Sequence, residues 1–95
     1  MRVIIRESAL ADLDGIAEWI AGDKPSAAAR MVATIRDRIS LLDTEQLAQM
    51  GRPGLVEGTR ELLEWPYIIV YKVFEDRDEI VVLSIVHGAR DREQE

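Results

Sequence analysis

Tyr67-Ile68-Ile69-Val70-Tyr71-Lys72-Val73-Phe74-Glu75 decides the fold class of this chain. β-branched and aromatic residues of this kind fit a pleated surface, and strand alternation places Ile69, Tyr71 and Val73 on one face with Ile68 and Val70 on the other. Both faces are apolar, as expected for a central strand of a sheet covered on one face and partly covered on the other. Trp65-Pro66 bounds the run before it, and the polar turn Asp76-Arg77-Asp78 bounds it after. Working outward, residues 59–64 and 79–87 also read as strands, so three strands form an antiparallel meander. Unbroken alternation along the last of them puts its terminal residue, His87, on the side of Val81, Leu83 and Ile85.

The N-terminal half has a different period. Residues 2–6 read as a short strand through Val3, Ile4 and Ile5, after which Ser8 offers a helix N-cap. From residue 9 to about 21, Leu10, Leu13, Ala17 and Ile20 recur at helical spacing, while Asp12, Asp14 and Glu18 keep largely to other faces. Gly22-Asp23-Lys24-Pro25 breaks this helix and starts another, with Asp23 as cap and Pro25 in the first turn. Ala28, Met31, Val32, Ile35, Ile39 and Leu42 then form an apolar stripe. The short connection predicts an antiparallel helix hairpin. Residues 43–58 lack a sustained period, carry Gly51, Pro53, Gly54 and Gly58, and read as a long loop. The expectation is one α+β domain over residues 1–95. Its order is β-α-α-β-β-β, with an N-terminal strand and an antiparallel helix hairpin packed on an antiparallel sheet.

Composition narrows the function classes. A chain of 95 residues holds one core, and 47% hydrophobic with 32% charged residues suits a soluble globular domain. The apolar run Ile68-Ile69-Val70-Tyr71 in the central strand is far short of the roughly 18 residues of a membrane span. The N-terminus lacks a secretory pattern, so a cytoplasmic location is expected. The absence of cysteine removes disulfides, thiolate nucleophiles and cysteine-based zinc sites, and neither a metal nor a cofactor is expected. A net charge of −6 argues against strong direct binding of nucleic acid. Of the 12 basic residues only Lys24 and Lys72 are lysine, a bias toward planar, bidentate contacts.

Five segments point to a family. Ala11-Asp12-Leu13-Asp14-Gly15-Ile16-Ala17, Pro25-Ser26-Ala27-Ala28-Ala29-Arg30, Gly58-Thr59-Arg60-Glu61-Leu62, Tyr67-Ile68-Ile69-Val70-Tyr71-Lys72-Val73 and Val86-His87-Gly88-Ala89-Arg90 resemble, in order and spacing, the RelE/ParE toxins of bacterial type II toxin-antitoxin modules. The resemblance runs from about residue 2 to residue 92, nearly the whole chain. It implies a protein that arrests growth unless held by an antitoxin encoded beside it. The RelE branch cuts mRNA in the ribosome, whereas the ParE branch poisons DNA gyrase and has no established hydrolytic site. RNA cleavage needs a base, an acid and stabilisation of the phosphorane charge. In the RelE branch an essential arginine commonly follows the tyrosine that opens the central strand, and here that place is Ile68. RelE-like enzymes also tend to be basic with a tyrosine near the C-terminus, but this chain is acidic and has no aromatic residue after Phe74. The resemblance therefore favours the ParE branch.

His87, Arg90 and Arg60 are the catalytic candidates if the chain is a nuclease, since an imidazole and two guanidiniums are suited to acid-base work and charge stabilisation. The alternative for His87 is a hydrogen bond that caps the sheet, and for Arg60 an ordinary salt bridge. Arg60, Trp65, His87, Arg90 and Arg92 are the candidates for partner binding. Core or edge packing is the ordinary role of Trp19 and Trp65, and Glu61 and Glu64 read as a solvated strand face. The resemblance implies a hetero-oligomer with a cognate antitoxin, which in this family often lays a helix across the toxin and adds a strand to its sheet. DNA gyrase is the implied target. A ribosome-dependent mRNA endonuclease is the alternative, and a non-toxic binding or repressor subunit is a third possibility.

Overall fold

β-formers at Tyr67–Phe74 build the middle of the sheet, and everything else is arranged around that strand. The computed structural model describes residues 1–44 and 47–88. In chain order the elements are β1 (Arg2–Ile5), α1 (Glu7–Ala21), α2 (Pro25–Ser40), β2 (Arg52–Pro53), β3 (Arg60–Glu64), β4 (Tyr67–Phe74) and β5 (Glu79–His87), with single 3₁₀ turns at Leu41–Asp43 and Glu75–Arg77. The sheet order is β1-β5-β4-β3-β2. The α+β class and the helix hairpin on a sheet are as expected, and the meander β3-β4-β5 is antiparallel.

The sheet as a whole is mixed, not antiparallel, because β1 pairs parallel with β5. The physical reason is the path of the chain. β3 starts away from β1, and two reversals through β4 bring β5 back beside β1 in the same direction. The long loop also holds an unexpected two-residue strand, β2, which pairs with β3 through Arg52↔Glu61 and Pro53↔Arg60.

α1 and α2 cover one face. Ala9, Leu13, Ile16, Ile35, Ile39 and Leu42 meet Leu62, Tyr67, Ile69, Tyr71, Ile80, Val82 and Ile85 in one core. The stripe of α2 is the expected one. That of α1 is rotated: Ala9, Leu13 and Ile16 are buried, whereas Leu10 is 41% exposed. Ser8 does not cap α1, which begins one residue before it, at Glu7 with Arg6 as N-cap. Likewise Lys24, not Asp23, is the N-cap of α2, with Pro25 in its first turn. Proline there loses nothing, since the first N–H groups of a helix have no partner within it.

The hydroxyl of Ser8 donates instead to the carbonyl of Leu83 at 2.8 Å, and the Asp12 carboxylate accepts the N–H of Ile85 at 2.9 Å. Both groups lie on the stretch of β5 that extends past the end of β1, where the last backbone bond is Arg6 N–H to the Val82 carbonyl at 3.0 Å. Two side chains of α1 thus satisfy strand groups that no neighbouring strand among the described residues reaches. Asp12 was expected on an outer helix face, and the need for this acceptor turns it toward the sheet.

Candidate partner-binding surface

A β-bulge fixes the direction in which the end of β5 points. Val70 pairs with Ser84 but Tyr71 pairs with Val82, so Leu83 is an extra residue and the alternation inverts there. Ile80 and Val82 before the bulge, and Ile85 after it, are buried against the helices. His87 therefore shares the helix-side face with Ile80 and Val82, and not with Val81 as unbroken alternation predicted. It lies opposite Tyr67, and the two rings meet edge to face at 5.5 Å and 87°. Trp19, Lys24, Met31 and Pro66 join Tyr67 and His87 around an open cup of about 370 Å³.

The next residue shows why glycine stands there. The Gly88 N–H donates to the Pro66 carbonyl at 2.7 Å. A Cβ on Gly88 would lie 3.2 Å from Ile68 Cδ1 and 3.2 Å from Trp65 Cζ3. A close approach, not a left-handed turn, makes glycine fit at this place.

Arg60 is at the other end of the meander. It pairs across from Tyr71, four positions along β4 from Tyr67, the neighbour of His87. At about 3.3 Å per residue this is a separation on the order of 13 Å along the strand. Its guanidinium donates to the carbonyls of Gln49, at 2.9 Å, and Gly51, and so ties the long loop to β3. The structure therefore does not bring Arg60 and His87 together. Arg90 and Arg92 lie outside the described residues. Trp65, on the β3-β4 turn, is 68% exposed, and Trp19 near the end of α1 is 70% exposed. The expectation of core packing is corrected for both tryptophans, which lie largely at the surface, while the Trp65 ring packs at the sheet's edge beside Gly88.

The face of the sheet away from the helices was less legible. Leu55, Val56, Thr59, Glu61, Val70, Ser84 and Val86 line a shallow cavity of about 180 Å³ on it. Leu55 and Val56 are 65% and 69% exposed. Leu63 projects to the same face beside Ile68. The available signal was a pair of large aliphatics inside Pro53-Gly54-Leu55-Val56-Glu57-Gly58, a loop with no core periodicity to absorb them. Glu61 corrects the reading of β3 carboxylates as a solvated face. It is 3% exposed, and Arg52 Nε pairs with it at 3.2 Å from the facing position on β2. Ile68, in the place of the RelE-branch arginine, is 3% exposed.

Among the described residues no group of three or more His, Cys, Asp or Glu side chains is arranged to hold a metal. No described helix is long and apolar enough to cross a membrane. The surface offers apolar relief with a few placed polar groups, which suits recognition of another polypeptide.

Comparison with known proteins agrees with this geometry. The family model of the ParE toxin of the type II toxin-antitoxin system, parDE, matches residues 3–92. The chain belongs to the ParE toxin family. Among curated relatives, the toxin-named protein Y4kP of Sinorhizobium fredii is 40% identical over 82 residues, covering 84% of this chain and 80% of that protein. Among solved structures, the chromosomal ParDE toxin-antitoxin system from P. aeruginosa is similar, with a TM-score of 0.76 and 30% identity over 92% of this chain and 95% of the matched one. The RelBE2 toxin-antitoxin complex from Mycobacterium tuberculosis shares the fold, with a TM-score of 0.65 and 20% identity over 90% of this chain and 95% of the other. A ParE-family toxin thus carries the helix hairpin on a mixed sheet described above, with no helix among the described residues packed on the sheet's second face.

Proposed function

We propose that this chain is the toxin of a type II pair, that it acts by binding and inhibiting DNA gyrase, and that a cognate antitoxin neutralises it by covering its exposed apolar surface. The observation that carries the choice of binding over RNA cleavage is Ile68. It is buried on the face of the sheet where Val70, Val86, Leu55 and Val56 also lie, so the ground around the nuclease position is apolar. A surface that handles a scissile phosphate needs cationic groups to offset its charge. The separation of Arg60 from His87 supports the same choice.

Antitoxin binding is supported by membership of the ParE toxin family and by the exposure of Leu55, Val56, Leu63 and Trp65. Large apolar groups gathered at a surface are characteristic of protein interfaces. The test is expression of the chain alone, followed by purified supercoiling assays. Growth arrest with cleaved DNA trapped on gyrase is expected. Cleavage of ribosome-bound mRNA without an effect on gyrase would replace this function with the nuclease one, and absence of arrest would overturn both.

A further inference from the structure

Burying a carboxylate is costly unless a cation stays with it, and Glu61 is buried outside the hydrophobic core, on the face of the sheet away from the helices. Its side chain is 2% exposed and forms the floor of the cavity of about 180 Å³ on that face, between Val70 and Val86, with Ser84 adding a hydroxyl to the lining. Exposed Leu55 and Val56 make the rim. The loop that carries them is fixed before any partner arrives. The Gly54 N–H donates to the Thr59 carbonyl at 2.8 Å, and Thr59 returns its N–H and its hydroxyl to the Val56 carbonyl at 3.1 and 2.6 Å. Arg52 shows what the carboxylate accepts: its Nε donates to Glu61 Oε1 at 3.2 Å. This guanidinium comes from a side chain more than half exposed, on a two-residue edge strand, and gives up little by moving into water. Lys72, two positions beyond Val70 on the same face, sets its ammonium 5.2 Å from the centre of the Phe74 ring.

We propose that this cavity is an anchor pocket for one lysine or arginine side chain of DNA gyrase, whose cationic head takes the place of Arg52 on Glu61. The occupant follows from the lining. Apolar walls at Leu55, Val56, Val70 and Val86 over a buried carboxylate match a side chain with a methylene stem and a charged tip. The volume admits a single side chain, not a helix or a strand. Away from water the attraction between the two charges is screened less, and the exchange of one cation for another never leaves Glu61 buried alone. A chain of net charge −6 favours a basic partner surface, and an enzyme that handles DNA presents lysine and arginine where phosphates lie. Gyrase as the source of the cation rests on the function proposed above.

The test titrates n-butylguanidinium, and its neutral isostere n-butylurea, into the intact chain while the NMR signals of Leu55, Val56, Val70 and Val86 are followed. The cation saturates these signals at a concentration about tenfold or more below that of the urea. Arg52→Gln removes the resident guanidinium and tightens binding of the cation by about threefold or more, a change that a purely structural Arg52 would not produce. Glu61→Gln keeps the size and hydrogen bonding of the floor, abolishes the preference for the cation, and weakens inhibition of purified gyrase by about tenfold or more. If that variant does not fold, Leu55→Ser with Val56→Ser, at exposed positions, carries both readouts and weakens each by about fivefold or more. Equal binding of cation and urea, or no tightening in Arg52→Gln, overturns the pocket. A pocket that selects the cation while Glu61→Gln inhibits gyrase undiminished overturns gyrase as the source. An unsubstituted chain without effect on gyrase removes the gyrase function, and the two probes still decide whether the pocket takes a cation.

Discussion

Replacing Asp12 by alanine tests whether α1 holds the bulged end of β5 in place. The carboxylate accepts the Ile85 N–H at 2.9 Å, on a stretch of β5 beyond the end of β1. A hydrogen bond to a charged group contributes about 1.5–3 kcal/mol, and Asp12 is only half-buried, so water recovers part of the loss. Alanine also gains about 0.5 kcal/mol of helix propensity over aspartate. The net cost is then about 1–2 kcal/mol, or roughly 4–16 °C in the melting temperature of a domain this size. Asp14→Ala, at an exposed position of the same helix, changes propensity without touching the strand and serves as the reference. Urea unfolding of the two variants, with amide exchange at Ile85, measures the difference. Asp12→Asn keeps an acceptor and recovers most of the loss. The reasoning is refuted if Asp12→Ala unfolds at the same urea concentration as Asp14→Ala, or if Ile85 exchanges no faster in it.

Three further changes examine other parts of the structure. Gly51→Ala places a Cβ 2.6 Å from the Glu61 carbonyl and 2.7 Å from the Tyr71 hydroxyl, both held in the sheet. It is expected to cost about 2 kcal/mol or more in chemical denaturation, with loss of the Gly51 N–H bond to Tyr71. Arg60→Ala removes the donors to the Gln49 and Gly51 carbonyls and is expected to cost about 1–2 kcal/mol and to speed proteolysis between residues 47 and 59, as limited digestion would reveal. Leu55→Ser with Val56→Ser changes side chains 65% and 69% exposed, so stability should move by less than about 1 kcal/mol while antitoxin affinity falls by about tenfold or more in calorimetry.

The strands of the meander were legible because each is a run of β-formers bounded by turn chemistry, and the structure places β4 and β5 within a residue of the expected limits. The stripe of α2 was legible for the same kind of reason: aliphatics at steps of three and four leave one face for the core. The candidate surface was much less so. Glu61 looks like any solvated strand carboxylate until β2 sets Arg52 opposite it. Trp19 and Trp65 look like core until the sheet leaves them outside. Ser8 and Asp12 look like a cap and a surface charge, but their partners, Leu83 and Ile85, are more than seventy residues away.

What the residues alone determined was local: where period two and period 3.6 hold, where glycine and proline interrupt them, and which family the segment order resembles. These depend on neighbours a few positions apart, so the chain carries them in plain form. Tertiary structure decided the rest. The parallel placement of β1 and the inversion of faces at Leu83 that brings His87 to the helix side both depend on which strand lies beside which. A backbone donor or acceptor must find a partner, and only the folded sheet determines which ones have been left without a strand.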